Sequence, residues 1–275
     1  MSQKSLYRLY GKPDLANAIL IAGWTEDIAN LGYRTIGFLN DYLNARDFCV
    51  IEPEHFFSME GVSVKDDIAH FPDSRFFCCP EKNIVLLLST IPTNEWHRFL
   101  NLVLDIAINH CDVRTIYTVG AMVSNIAHTL PRSLFSVFSS SEIKQDFMQY
   151  HLSETIDYES PPGQRPTINS YLLWTAKQRN IPGVNLWVPV PFYLVENDDI
   201  QAYRRVIAVL DKALSLDLDL SSLDQEIGRQ KEMITHILSD HPELHGYIRK
   251  LESHLSLTEE ESEHLVDIMD KHLKR

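Results

Sequence analysis

The sequence lacks any apolar run near the roughly 20 residues needed to cross a bilayer. Its opening stretch, MSQKSLYRLYGKPDLAN, has no apolar core of the kind a signal peptide carries. Basic patches are missing as well. The formal net charge is −13 and the sequence pI about 5.3, which argues against nucleic acid and against anionic membrane surfaces. Cysteine is sparse. Cys49, Cys78, Cys79 and Cys111 are too few and too irregular for a disulfide framework, and all lie in apolar segments. They read as buried, reduced thiols in a cytoplasmic protein. Cys78 and Cys79 are adjacent on a strand, so they point to opposite faces and do not converge on one ion.

Catalytic signatures are absent too. There is no G-x-x-x-x-G-K-[ST] phosphate loop, no G-x-G-x-x-G after a strand and no G-x-S-x-G nucleophile elbow. The turns at Gly23-Trp24 and Gly120-Ala121-Met122 each offer a single glycine, which a tight turn explains. His241 and His245 have the helical spacing of a zinc pair, but Pro242 puts His241 at a cap and no third ligand is suitably spaced. Those two, with His254, His264 and His272, read as solvated helix faces. Ser124 and His128 lie four apart with no acid placed to orient the histidine. No catalytic set, no metal and no cofactor is expected.

What is present is an α/β pattern. The chain has 275 residues, 44% hydrophobic and 23% charged, enough for one large domain and a small appendage. It is organised around Asn17–Asn30. Ala18–Ala22 is a short apolar run, stopped by Gly23-Trp24, and Glu26-Asp27 precede an amphipathic helix over Ile28–Asn44. Gly32 and Gly37 inside that helix each cost up to about 1 kcal/mol relative to alanine, which close packing on a strand would explain. Residues 1–16 read as an arm or edge strand. Phe48–Ile51 is the next strand, and Glu54–Pro72 is a long excursion of the kind that carries binding loops.

Arg75–Cys79 and Ile84–Leu88 form a hairpin, the second run apolar at every position as in a strand covered on both faces. A helix follows from Trp96, capped by Thr93 or Asn94. Thr115–Val119 and Ser133–Phe138 are strands, and Tyr158–Pro166 is a proline-rich loop. Thr167 caps a helix, Val184–Val190 is a strand stopped by Pro189 and Pro191, and Asn197 or Asp198 caps a helix with apolar residues at strict 3-4 spacing. The alternation predicts a mostly parallel sheet with helices on both faces. Beyond Ser222 every pattern is helical. Pro242 opens one helix and a Thr258/Glu261 capping box opens the last. The expected division is an α/β domain over 1–222 and a helical subdomain over 223–275.

Binding residues are sought at the carboxyl ends of the strands, where open α/β sheets collect ligands. Gly23, Trp24, Glu26, Asp27, Glu95, Trp96, Gly120 and Tyr193 fall there. Glu95 is the best carboxylate partner for Asp27 if acid–base work occurs, although first-turn carboxylates also suit a helix dipole.

Several landmarks occur in a fixed order. They are Ile21-Ala22-Gly23-Trp24 with Asp27, Glu95-Trp96-x-x-Phe99, Gly120-Ala121, Thr167-Ile168-x-x-Tyr171-Leu172-Leu173, Ile181-Pro182-Gly183-Val184-x-Leu186-Trp187 and Val190-Pro191-x-Tyr193. Together they resemble the PAC2 family, named for a proteasome assembly chaperone, over about residues 17–225. The resemblance implies a fold similar to the nucleoside-phosphorylase and peptidyl-tRNA-hydrolase type. It also implies a role in assembly, since eukaryotic and archaeal relatives assist the proteasome α-ring. Many bacterial members have no assigned role and are labelled, loosely, as ATP-grasp ligases. The ending His272-Leu273-Lys274-Arg275 differs from the hydrophobic–Tyr–any-residue tail of archaeal relatives, so docking by such a tail is not expected.

The expectation is therefore a cytoplasmic, homo-oligomeric, non-catalytic assembly or interaction factor with protein partners. The alternative is an enzyme of ligase or nucleoside phosphorylase/hydrolase type, with a small-molecule site at the strand carboxyl ends.

Overall fold

The computed structural model describes residues 5–58, 63–65, 67–148, 154, 156–159 and 161–273. The strands are β1 (Tyr7–Leu9), β2 (Ala18–Trp24), β3 (Arg46–Ile51), β4 (Ser63–Lys65), β5 (Ile68–His70), β6 (Ser74–Cys79), β7 (Ile84–Ser89), β8 (Val113–Ser124), β9 (Phe135–Phe138) and β10 (Gly183–Pro191). The helices are α1 (Leu31–Tyr42), α2 (Trp96–Cys111), α3 (Ser141–Met148), α4 (Ile168–Gln178), α5 (Ile200–Leu214), α6 (Ser221–Asp240), α7 (Leu244–Glu252) and α8 (Glu259–Leu273).

Eight strands form one sheet in the order β1-β3-β6-β7-β2-β8-β10-β9. The central β7, β2, β8 and β10 are mutually parallel, and the flanking pairs are antiparallel. Strand β3 runs with the central four, so five of the eight strands point the same way. The short β4–β5 hairpin stands apart in the 54–72 excursion, part of which lies outside the described residues.

Two cores sandwich the sheet, and side-chain alternation assigns each residue to one. Ile21, Ile84 and Leu86 face a layer of α1, α5 and the C-terminal helices, whereas Leu20, Ala22, Val85 and Leu87 face α2 and α4. The unbroken apolar run of β7 thus fills both cores. Leu223, Ile234, Leu244, Leu251, Leu265 and Met269 join the first core, with α6 packed on α5 and α8 on the Phe192–Leu194 turn. Among the described residues no helix is long and apolar enough to cross a membrane.

Most local signals act as expected. Thr167 accepts the Ser170 N–H at 3.2 Å, and Thr258 and Glu261 exchange capping-box bonds at 3.0 and 3.2 Å. Other signals were displaced by tertiary context. Helix α2 is preceded by Glu95 in a left-handed conformation (φ 50°), with no side-chain cap from Thr93 or Asn94. Helix α5 is capped by Asp199, whose Oδ1 accepts the Ala202 N–H at 3.1 Å. Strand β10 runs through Pro189 to Pro191, because β9 ends opposite Trp187 and leaves no ladder on that side to donate to. Helix α3 is not among the elements read from the sequence; it buries only Phe147.

The two glycines of α1 differ. A Cβ on Gly32 would lie 2.6 Å from the Trp24 nitrogen, and one on Gly23 would lie 2.7 Å from Ile36 Cγ1. These glycines let α1 lie directly on the end of β2. Gly37 has no neighbour within 4 Å of such a Cβ, so close packing does not account for it. Gly32→Ala should therefore lower stability by ~2 kcal/mol or more through overpacking. Gly37→Ala should raise it by up to about 1 kcal/mol through helix propensity. Urea unfolding of both variants checks the pair.

Candidate functional site

At β2 and β8 the chain parts in opposite directions. From β2 it leads through α1 to β3 on one side, and from β8 it leads to β9 and β10 on the other. Such a divergence opens a crevice at the strand ends, the usual ligand position in this architecture. Here Trp24, the last residue of β2, fills it. Its side chain is 1% exposed. The indole Nε1 donates to Asn169 Oδ1 at 2.6 Å, and Asn169 Nδ2 donates to the Val119 carbonyl at 2.8 Å.

Asn169 sits in the first turn of α4, two residues after the Thr167 cap. A Cβ on Gly120 would come within 2.8 Å of its Nδ2, so glycine is what lets the amide reach the backbone of β8. The single glycine in the Gly120 turn therefore serves an internal contact. Asn169 itself was not anticipated. The sequence signal was a polar residue beside Ile168 and Leu172 on the buried face of α4, which also carries Thr175.

Asp27 lies just beyond. Its Oδ2 accepts the Gly32 N–H at 2.7 Å, and its Oδ1 is buried without a protein partner. Burial raises its pKa to about 7, against the opposing pull of the Gly32 N–H. The next turn holds two consecutive non-glycine residues in the left-handed region, Ala29 (φ 56°) and Asn30 (φ 52°). The Ala29 N–H is tied to the Val195 carbonyl at 2.9 Å. Such a conformation costs about 1–2 kcal/mol per residue, more for alanine than for asparagine, and persists only where packing imposes it.

The remaining candidates are dispersed. Glu26 is exposed. Glu95 turns to Arg98 at 2.9 Å, half exposed, and no hydrogen bond links it to Asp27. Trp96 donates to the Pro92 carbonyl and packs on Tyr171. Tyr193 is buried, and its hydroxyl accepts the His128 N–H at 2.6 Å while lying 3.0 Å from His128 Nδ1. Burial and nearby Arg132 pull His128 down to about 4, so the ring is neutral, and burial pushes the Tyr193 phenol up.

Arg132 is also buried. It donates to Asp199 Oδ2 at 2.7 Å and to the Leu130 carbonyl at 2.6 Å, while its Nη2 has no protein partner. Tyr193, His128, Arg132 and Asp199 thus form a second buried polar group, separate in its bonding from Trp24 and Asn169. His128 has a tyrosine and an arginine for company rather than a nucleophile.

Two clefts open elsewhere. One, of about 570 Å³, lies between the start of α1, the turn before α5, and α6, with Arg34, Asp198 and Glu226 on its walls. Another, of about 350 Å³, lies beside β9 and α3. Neither is lined by any of the eight sequence-derived candidates. Among the described residues no group of three His, Cys, Asp or Glu is placed to hold a metal ion. All four cysteines are buried and free, with Cys49 and Cys111 pushed up to about 12 by burial.

Two measurements check this geometry. Trp24→Phe and Asn169→Leu should each cost ~1–3 kcal/mol, because each leaves a buried polar atom of its partner unpaired. The double variant should cost less than their sum in a mutant cycle. Asp27 has a folded pKa above its unfolded value of about 3.9. Its contribution to stability is therefore complete below pH ~4 and is lost as pH rises through about 7. Asp27→Asn should flatten that part of the stability profile, read by urea unfolding across pH.

Comparison with solved structures shows the same fold in several proteins. PbaB of Pyrococcus furiosus, described as an archaeal proteasome activator, is 18% identical, with a TM-score of 0.69 covering 84% of this chain and 97% of that one. A proteasome-assembly chaperone homologue from Mycobacterium tuberculosis is 19% identical, with a TM-score of 0.69 over 84% of this chain and 99% of that one. A protein of unknown function from the same organism is 19% identical, with a TM-score of 0.76 over 92% and 90%. No curated protein sequence matches the chain. The sequence profile of the PAC2 family matches residues 20–238, most of the chain, and on that match the protein belongs to the PAC2 family.

Proposed function

We propose that this chain is a non-catalytic assembly or interaction factor of the chaperone-like kind, working in the cytoplasm as a homo-oligomer with protein partners. The observation that carries this reading is the filled crevice. The position where an α/β sheet would seat a small molecule holds the indole of Trp24, fixed by Asn169. Two similar folds bear on it as well, one described as a proteasome activator and one as a proteasome-assembly chaperone homologue. In this reading residues 1–222 are the α/β body and 223–275 a helical appendage.

One observation favours the competing reading, an enzyme with a small-molecule site at the strand ends. Asp27 is a carboxyl held near pH 7 in a strained turn, with Oδ1 unpartnered. The two readings differ in what the native protein carries. Affinity purification from native lysate, followed by quantitative mass spectrometry, should return a discrete protein partner at near-stoichiometric yield. The reading is overturned if no protein is enriched and native mass spectrometry instead finds a bound small molecule that Asp27→Asn removes.

A further inference from the structure

Strand β9 is the last strand of the sheet, so one of its sides has no sheet neighbour. Its register with β10, and the Ser139 N–H donated to the Gly183 carbonyl at 3.0 Å, fix which groups point which way. Phe135 and Val137 pair inward with Trp187 and Asn185. By alternation the main-chain groups of Leu134, Ser136 and Phe138 point outward. Part of this outer row is used. Glu154 lies parallel alongside, donating its N–H to the Leu134 carbonyl at 2.7 Å and accepting the Ser136 N–H at 3.3 Å. There the pairing stops. Two residues on, Ile156 bonds neither the Ser136 carbonyl nor the Phe138 N–H, and no other described residue does.

Beside this unpaired stretch lies the cleft of about 350 Å³. It is lined by Ser136 and Phe138, by Ser141 and Lys144 of α3, and by Ile156 and Asp157 where the chain departs from the edge. Ser136 is 4% exposed, and its hydroxyl is buried without a hydrogen-bond partner. It stands opposite Leu186 and so faces the first core. On that side α3 packs on β9 through Phe147 and Phe138, 5.5 Å apart between ring centres.

These groups specify the occupant. An outward carbonyl and an outward N–H two residues apart are matched by another main chain, which offers a donor and an acceptor at the same spacing. Residues 156–157 border the cleft, leaving room for one extended chain rather than for the edge of a second sheet. The net charge of −13 also opposes the approach of a second copy. We propose that the outer edge of β9 at Ser136–Phe138 binds a short extended peptide from a protein partner, which adds a strand to the sheet through the Ser136 carbonyl and the Phe138 N–H. A peptide residue level with Ser136 lays its side chain on the same face, so a short polar side chain there meets the unpartnered hydroxyl. The inference rests on the protein-partner reading above and names a surface for it.

Random heptapeptides displayed on phage, selected on the full purified chain, are the probe. The enriched peptide, once synthesised, should protect the Phe138 amide from hydrogen exchange. N-methylation at the one peptide nitrogen that bonds the Ser136 carbonyl should weaken binding ~10-fold, the worth of about one hydrogen bond. Phe138→Pro removes the outward donor at an edge position, where proline is tolerated, and should weaken binding to a similar degree. Ser136→Ala should keep the binding and lose the preference for a polar side chain. The proposal is overturned if no peptide is enriched, or if binding is indifferent to N-methylation at every position. Phe138 protection that rises with protein concentration in the absence of peptide also overturns it and assigns the edge to a second copy. A native partner that folded Phe138→Pro still captures at full yield overturns it as well, and leaves the functional reading standing.

Discussion

An indole has one polar atom, and burying it obliges the protein to supply an acceptor. Trp24 ends the central strand β2 and meets that obligation through Asn169, whose amide is held in turn by the Val119 carbonyl. Three elements, β2, β8 and α4, are fixed by one side chain. Their close approach needs glycine at 120 beside the amide, and at 23 and 32 where α1 crosses the strand end. The landmarks that looked like a ligand turn are largely the requirements of this contact.

The same contact bears on function. A doubly wound sheet offers a crevice where neighbouring strands send the chain in opposite directions. Filling it with a clamped tryptophan converts a binding position into a joint of the framework. What remains of chemical interest is displaced by one turn, to Asp27, where a buried carboxyl and a left-handed pair at Ala29 and Asn30 coincide. The surface features lie farther out, at the edge of β9 and in the cleft beside Arg34.

A second buried polar group holds the first core's layer together. Arg132 and Asp199 are almost wholly buried, and removing one partner of such a pair is far costlier than the pair is stabilising. Asp199 also caps α5, so one carboxylate serves a helix start and an ion pair together. Beyond this group, α7 is joined to the body through Thr129 and Glu252 at 2.7 Å and α8 through Asn197 and Asp270 at 2.9 Å. The C-terminal helices are thus tied by polar contacts as well as by their apolar stripes.

Much of the fold was legible because its causes are local. The apolar run of β7, the amphipathic spacing of α5 and the Thr167 and Thr258 caps each act within a few residues, and each is where the pattern placed it. The site was less legible. Glu95, Asp27 and Tyr193 could be placed at strand ends, but not their partners Arg98, Gly32 and His128. Asn169 lies 145 residues from the tryptophan it holds, and Asp199 lies 67 from its arginine. The sequence alone determined most of the sheet strands and the larger helices, though not α3 or the β4–β5 hairpin, and which family they spell out, since periodicity is a property of neighbouring residues. Only the tertiary structure decided that the crevice is closed, because a buried donor takes whichever acceptor the packed chain brings to it, however remote in sequence.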